Sequence, residues 1–79
     1  MNNFTVYSKD GCPFCTKVIS LLELLNFNYT EQKLGKDFTR EDFYSKFGKG
    51  STFPRVVLND ELIGGCTETI SYLKEQKLI

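Results

Sequence analysis

The chain has 79 residues, ten basic and ten acidic, so its formal net charge is zero. This balance gives no indication of the basic footprint typical of proteins that bind nucleic acid or an anionic membrane surface, so we expect neither partner. Its hydrophobic content of 41% and aromatic content of 14% suffice for one compact core, and we predict one domain over residues 1–79. The chain has no histidine, which excludes hydrolases built on a Cys-His or Ser-His dyad.

The N-terminal residues and the cysteine count bear on location. The chain begins without the basic and apolar regions of a signal peptide. No apolar run approaches the ~18 residues of a membrane span. Three cysteines are an odd number for the disulfide framework of a secreted domain. We therefore expect a cytoplasmic monomer.

The first half of the chain alternates strands with a helix. Residues 4–8 are rich in β-forming side chains and predict a buried strand. Residues 13–26 predict a helix that is buried widely, and residues 29–34 predict a second strand. The broad apolar face of this helix consists of Val18, Ile19, Leu21, Leu22, Leu24 and Leu25.

A second helix follows the turn after this strand. Thr39 is in the position of an N-cap, with Asp42 three residues later as in a capping box. Phe43 and Phe47 are four residues apart and form its inward stripe. Gly48 ends the helix.

The last third predicts a hairpin and a helix. Strands at residues 55–58 and 61–63 flank Asn59-Asp60, a pair suited to a tight turn. Gly64-Gly65 ends the second of these strands, and Thr67 or its neighbour caps the last helix. The order strand-helix-strand-helix-strand-strand-helix predicts an α/β fold with a four-stranded mixed sheet flanked by three helices.

The most informative motif is Cys12-Pro13-Phe14-Cys15, where the first strand turns into the first helix. Two cysteines at this spacing and place are typical of a redox-active dithiol. Unpaired N–H groups and the helix dipole stabilise a thiolate there, and can lower a cysteine pKa from about 8.5 to ~3.5–7.5. Pro13 suits the first helical position. We predict that Cys12 is the exposed attacking sulfur and Cys15 the resolving one, with Lys9 the nearest cation in sequence.

The sequence supports other roles for this cysteine pair less well. A structural zinc site needs four ligands, whereas the chain has three cysteines and no histidine, so we expect no metal. A structural disulfide would leave the remote Cys66 unpaired. A chance pair in an ordinary core conflicts with the polar and turn-forming Lys9 and Gly11 beside it. The motif therefore favours redox chemistry.

Two further segments are candidates for a binding site. Pro54 in Thr52-Phe53-Pro54 precedes a strand, and a simple strand-start proline explains it, since only ~5–6% of X-Pro bonds are cis. A cis bond would leave the Phe53 N–H and C=O free for an extended peptide. In Gly64-Gly65-Cys66-Thr67, the glycines permit close backbone approach and the following N–H groups suit a carboxylate. A plain strand-to-helix turn explains that segment by itself.

Together these three segments resemble the dithiol type of glutaredoxin, in order and in spacing, over almost the whole chain. The resemblance implies a thioredoxin fold and glutathione-dependent reduction of protein disulfides and glutathionylated proteins, with glutathione as co-substrate. It implies that Cys12 is the nucleophile, Cys15 the resolving cysteine and Pro54 a cis-proline. It further implies a glutathione site made of Lys9, Phe14, Arg40, Phe53, Pro54, Gly65, Cys66, Thr67 and Glu68.

Within that site the resemblance assigns separate roles. Lys9 meets the glycine carboxylate, with Arg40 as a second group for it, and the Phe53 backbone pairs with the cysteine moiety. Residues 66–68 hold the γ-glutamyl end. The sequence departs from the family pattern at Phe53, where valine is usual, at Glu68, where aspartate is usual, and at an additional Gly50.

Two alternatives stay open. The first is a redoxin reduced by thioredoxin reductase that donates electrons to ribonucleotide reductase. The second is a carrier holding a [2Fe–2S] cluster between two Cys12 thiolates and two glutathiones, against which Pro13 argues. Only the glutathione contacts separate the first alternative from a glutathione-dependent enzyme, and the departures at Phe53 and Glu68 leave it open.

Overall fold

A computed structural model describes residues 3–76, so the predicted domain limits at residues 1 and 79 lie outside the described residues. No helix in this part of the chain is long and apolar enough to cross a membrane. The predicted order of elements is confirmed. In chain order the elements are β1 (Asn3–Ser8), α1 (Pro13–Leu24), β2 (Asn28–Lys33), α2 (Arg40–Phe47), β3 (Arg55–Leu58), β4 (Glu61–Gly64) and α3 (Cys66–Glu75).

The four strands form one mixed sheet in the order β2-β1-β3-β4. The pairing of β1 with β2 is parallel, and the pairings of β1 with β3 and of β3 with β4 are antiparallel. The strand β1 therefore lies in the interior of the sheet, between β2 and β3. The loop after it leads directly into the two cysteines. The predicted α/β architecture with a mixed four-stranded sheet and three helices is confirmed.

The main core lies between the sheet and the helices α1 and α3. Side chains alternate across a strand, so Phe4 and Val6 of β1 point to this face and are buried. They join Val18 and Leu22 of α1 and Leu73 of α3 in one hydrophobic cluster. The short helix α2 packs on the other face through aromatic contacts of Phe43 and Phe47 with Tyr7.

The wide burial predicted for α1 is confirmed except at Leu24. Cys15, Val18 and Leu22 are buried at i, i+3 and i+7. Three further apolar residues are half-buried and pack against the hydrophobic cluster, namely Ile19, Leu21 and Leu25. Leu24 is 78% exposed, so the expectation that its side chain belongs to a wide buried face is wrong. The physical reason is that the sheet and α3 cover one side of this helix, whereas Leu24 projects from the uncovered side.

Local signals place most element boundaries. Thr39 caps α2 as predicted, because its hydroxyl accepts the Asp42 N–H at 3.1 Å and the Asp42 carboxylate accepts the Thr39 N–H at 3.1 Å. The hairpin turn is also confirmed, with Asn59 and Asp60 both at positive φ, a conformation that these residue types tolerate. The helix α1 ends at Leu24, two residues before the predicted limit.

The start of α3 differs from the prediction. The N-cap is Gly65 rather than Thr67 or a neighbour of Thr67, and Thr67 lies within the first turn. Glycine offers no capping side chain, but Glu68 at the third helical position accepts the Gly65 N–H at 2.7 Å. This carboxylate satisfies the backbone donor of the cap residue, which is half of a capping box.

Candidate active site

The two cysteines of the motif lie at the N-terminus of α1 and are joined in a disulfide, with their Cα atoms 5.3 Å apart. Cys12 is the N-cap residue, with extended backbone angles, and Pro13 occupies the first turn, as the sequence predicts. The Cys12 Sγ accepts the backbone N–H of Cys15 at 3.2 Å. An N–H donor aimed at this sulfur stabilises negative charge on it when the disulfide is reduced.

The exposure of Cys12 differs from the prediction. In the disulfide form Cys12 is only 8% exposed and Cys15 is 2% exposed. The cause is geometric, because each sulfur bonds to the other and the Cys12 Sγ turns inward to the Cys15 N–H. Cys12 is nevertheless the more accessible of the two. The neighbouring Phe14 is 61% exposed and stands beside the pair.

A small cleft borders the first turn of α1, and we call it the cis-proline cleft. Its volume is about 190 Å³. The peptide bond between Phe53 and Pro54 is cis, which confirms the sharper interpretation of this proline. The cleft contains seven of the nine predicted glutathione residues and also Thr52, which belongs to the same motif but was not predicted as a site residue. Its lining residues are Phe14, Thr52, Phe53, Pro54, Gly65, Cys66, Thr67 and Glu68.

A second concave surface, the cysteine groove, carries both cysteines along its wall. It has a volume of about 400 Å³, and Lys9 lines it rather than the cis-proline cleft. Arg40 begins α2 and lines neither surface, so its role stays a prediction. The groove is lined by Lys9, Asp10, Gly11, Cys12, Pro13, Cys15, Thr16, Ile19, Glu31 and Lys33.

Of the two lysines in the cysteine groove, Lys33 has an ion-pair partner and Lys9 has none among residues 3–76. Lys33 forms an ion pair with Asp10 at 3.1 Å, and this hydrogen bond and charge raise the pKa of Lys33 above its ordinary value. Glu31 accepts a hydrogen bond from the buried Ser8 hydroxyl at 2.6 Å. The Lys9 ammonium lies 5.5 Å from the centroid of the Phe53 ring instead.

The α3 end of the cis-proline cleft presents backbone donors. The N–H groups in the first turn of a helix have no intrahelical partner, and Cys66 and Thr67 occupy that turn. Glu68, predicted to contact the γ-glutamyl end, already uses one carboxylate oxygen to accept the Gly65 N–H. Cys66 is a half-buried free cysteine. The described residues contain no group of three or more cysteines and carboxylates arranged to hold a metal ion.

A disulfide at the N-terminus of a helix that follows an interior strand of this mixed sheet is typical of thiol-disulfide oxidoreductases of the thioredoxin fold. Comparison with known proteins narrows the class. The family model described as glutaredoxin matches residues 4–63. Glutaredoxin-C6 of Oryza sativa subsp. japonica is 34% identical over 77 residues, covering 94% of this chain and 69% of the relative.

Solved structures agree with this relationship. Glutaredoxin 1 from Francisella tularensis, complexed with cacodylate, superposes with a TM-score of 0.80 at 26% identity, covering 99% of this chain and 98% of its own. A buckwheat glutaredoxin-glutathione complex also gives a TM-score of 0.80 at 26% identity, covering 98% of this chain and 73% of its own. The chain belongs to the glutaredoxin family.

Proposed function

We propose that the protein is a glutathione-dependent thiol-disulfide oxidoreductase that reduces glutathionylated proteins and protein disulfides. One observation carries the proposal, namely that Phe14, which lies between the two disulfide-bonded cysteines, lines a cleft together with the cis-proline loop and the N-terminus of α3. The buckwheat relative of the same fold is a glutathione complex, which supports glutathione as the co-substrate. Free thiols of this kind suit a reducing compartment, and we propose the cytoplasm.

The first half-reaction takes glutathione from a glutathionylated protein. The Cys12 thiolate attacks the glutathione sulfur of the mixed disulfide, so that a Cys12–glutathione bond forms as the bond to the client sulfur breaks. The client cysteine leaves as a thiolate and takes a proton from water. A second glutathione thiolate then attacks the glutathione sulfur on Cys12. Oxidised glutathione leaves, and the Cys12 thiolate is restored.

A protein disulfide requires both cysteines. Cys12 attacks one client sulfur, and the other client sulfur leaves as a thiolate. Cys15, as thiolate, then attacks the Cys12 sulfur, which closes the Cys12–Cys15 disulfide and releases the second client thiolate. Two electrons have passed to the client. Two glutathione molecules return them to the protein and become oxidised glutathione.

In this proposal the cis-proline cleft holds glutathione. The backbone N–H and C=O of Phe53 pair with its cysteine moiety, and the N–H groups of Cys66 and Thr67 bind the γ-glutamyl carboxylate, favoured by the positive end of the α3 dipole. Lys9 makes a charge-assisted contact with the glycine carboxylate. The position of Lys9 between the cysteine groove and the Phe53 ring supports that role.

A coupled assay tests the proposal. NADPH oxidation is followed with a glutathionylated peptide, once with glutathione and glutathione reductase and once with thioredoxin reductase alone. We expect turnover with the glutathione system only. Turnover with thioredoxin reductase alone would contradict the glutathione site while leaving the dithiol chemistry intact.

A second candidate is a redoxin reduced by thioredoxin reductase, with ribonucleotide reductase as its client. The observation in its favour is that Glu68 uses a carboxylate oxygen to cap α3, which limits its contact with a glutathione amine. In this case the same coupled assay gives the opposite pattern. The backbone donors of Cys66 and Thr67 remain available in either case, and for this reason we favour glutathione.

A further inference from the structure

The Phe53 side chain is fixed by a stack of aromatic rings from α2 and the preceding loop. Its ring lies 4.2 Å from that of Phe43, with only 13° between the ring planes, and 6.1 Å from that of Phe38 at 21°. Phe43 is 2% exposed and is the buried centre of this stack. Because Phe43 is rigidly packed, the Phe53 ring has a defined place at the wall of the cis-proline cleft.

The same ring is the contact of the Lys9 ammonium, whose nitrogen lies 5.5 Å from the ring centroid. A cation over an aromatic face is attracted by the ring quadrupole. This contact differs from an ion pair in its effect on a ligand, because it does not neutralise the positive charge and leaves ammonium hydrogens free to donate. The other lysine of the cysteine groove, Lys33, is paired with Asp10. Lys9 is therefore the groove lysine whose charge is available to an anion.

We propose that the stack of Phe43 and Phe53 positions the Lys9 ammonium. The Phe53 ring thereby sets the preference of the enzyme for substrates that carry carboxylate groups over uncharged ones. This inference rests on the proposed function. Phe53 lines the cis-proline cleft and Lys9 lines the cysteine groove, so their contact joins the two surfaces beside the reacting sulfurs. Phe53 acts here through Lys9, and both Phe53 and Phe43 are positioning residues.

The test compares two disulfides that differ in charge. Reduced protein is mixed with oxidised glutathione, which carries carboxylates, or with bis(2-hydroxyethyl) disulfide, which carries no charge. The chain has no tryptophan, so oxidation is followed by acid quenching, alkylation of remaining thiols and mass spectrometry. The measured quantity is the ratio of the two second-order rate constants. Thiolate fraction and nucleophilicity of Cys12 enter both constants equally, so the ratio reports recognition of the carboxylates.

Phe53→Leu keeps an apolar side chain but removes the aromatic face. We expect it to lower the ratio by about two- to fivefold, the factor that corresponds to a cation–π contact at an exposed site. Phe53→Tyr keeps the ring and retains the wild-type ratio. Lys9→Met lowers the ratio by at least as much as Phe53→Leu. Lys36→Met removes one positive charge from the turn before α2 and serves as the matched control.

The double variant separates positioning from a structural effect. If Phe53 acts through Lys9, adding Phe53→Leu to Lys9→Met leaves the ratio of Lys9→Met unchanged. A further fall of the ratio in the double variant overturns the inference, and so does a wild-type ratio in Phe53→Leu alone. The proposed function is judged separately, because a preference of the wild-type protein for oxidised glutathione upholds it. A wild-type protein without that preference overturns the glutathione site itself. Far-UV circular dichroism verifies that each variant is folded.

Discussion

The two cysteines have unequal surroundings although they belong to one disulfide. Cys12 caps α1, and its sulfur accepts a backbone N–H, so a thiolate at this position is stabilised without any histidine. Cys15 lies one turn further along the helix in the buried stripe that includes Val18 and Leu22. These surroundings favour Cys12 as the nucleophile and Cys15 as the sulfur that later closes the ring.

Serine substitutions test this division of labour. We expect Cys12→Ser to abolish turnover of every disulfide substrate, since Cys12 is the N-cap of α1 and its sulfur accepts the Cys15 N–H, whereas Cys15 is buried. Cys15→Ser retains the reduction of a glutathionylated peptide, for which glutathione itself releases the product, but loses most activity on a protein disulfide. The measurement is the coupled turnover of both substrates by each variant. Equal losses in Cys12→Ser and Cys15→Ser would contradict the assignment.

At the scale of one element, the start of α3 shapes the cis-proline cleft. Gly64 has a φ of +136°, and the Glu68 side chain packs directly on it before its carboxylate returns to the Gly65 N–H. The hydroxyl of the buried Thr69 adds a hydrogen bond to the Gly65 carbonyl at 2.8 Å. Glycine at position 64 is thus required by the packing of Glu68, as well as by the positive φ of this turn.

Substitution of Gly64 tests that packing. A Cβ at Gly64 would lie 2.7 Å from the Glu68 Cβ, which is too close for any real contact. Gly35 also has positive φ but has open space around it, so Gly35→Ala is the matched control for backbone strain. We expect this strain to lower the unfolding free energy of Gly35→Ala by about 1–2 kcal/mol. We expect Gly64→Ala to lower the unfolding free energy by about 1–3 kcal/mol more than Gly35→Ala. Equal losses in urea denaturation would mean that Glu68 does not constrain this position.

At the scale of the whole molecule, one small core joins the sheet to two helices. The cluster contains side chains from β1, β3, α1 and α3. A chain of this size has an unfolding free energy of roughly 4–12 kcal/mol, from the usual ~0.05–0.15 kcal/mol per residue. The cluster also anchors the helix that carries both cysteines. Its loss therefore affects the site as well as the fold.

A pair of leucines on α1 distinguishes the core from the surface. Leu22 is fully buried, whereas Leu24 projects into solvent from the same helix. We expect Leu22→Ala to cost about 2–5 kcal/mol of unfolding free energy. Leu24→Ala, which removes the same atoms, changes it by less than about 0.5 kcal/mol. Denaturant titration of both variants checks the expectation, and a comparable loss in Leu24→Ala would show that its side chain is packed.

Sequence patterns predicted the features that depend on neighbouring residues. The capping box of Thr39, the Asn59-Asp60 turn and the cysteines at a helix start all rest on signals within a few positions. The meeting of Phe14 with the segments at Phe53 and Gly65 was predicted only through the resemblance to glutaredoxins, and other features that depend on distant partners were not predicted. Exposure of Leu24 depends on which side of α1 the sheet and α3 cover. The contact between Lys9 and Phe53 joins residues 44 positions apart, and no local pattern indicates it.

To test whether the cis-proline cleft holds glutathione, we would map where glutathione lies when it is bonded to Cys12. Amide NMR spectra are recorded for two forms of the Cys15→Ser protein, one with Cys12 joined to glutathione and one with Cys12 joined to 2-mercaptoethanol. The second form controls for the effect of the disulfide bond itself. We expect the largest differences on the amides of Phe53, Cys66 and Thr67. Differences confined to the cysteine groove, at Glu31 and Lys33, would contradict it.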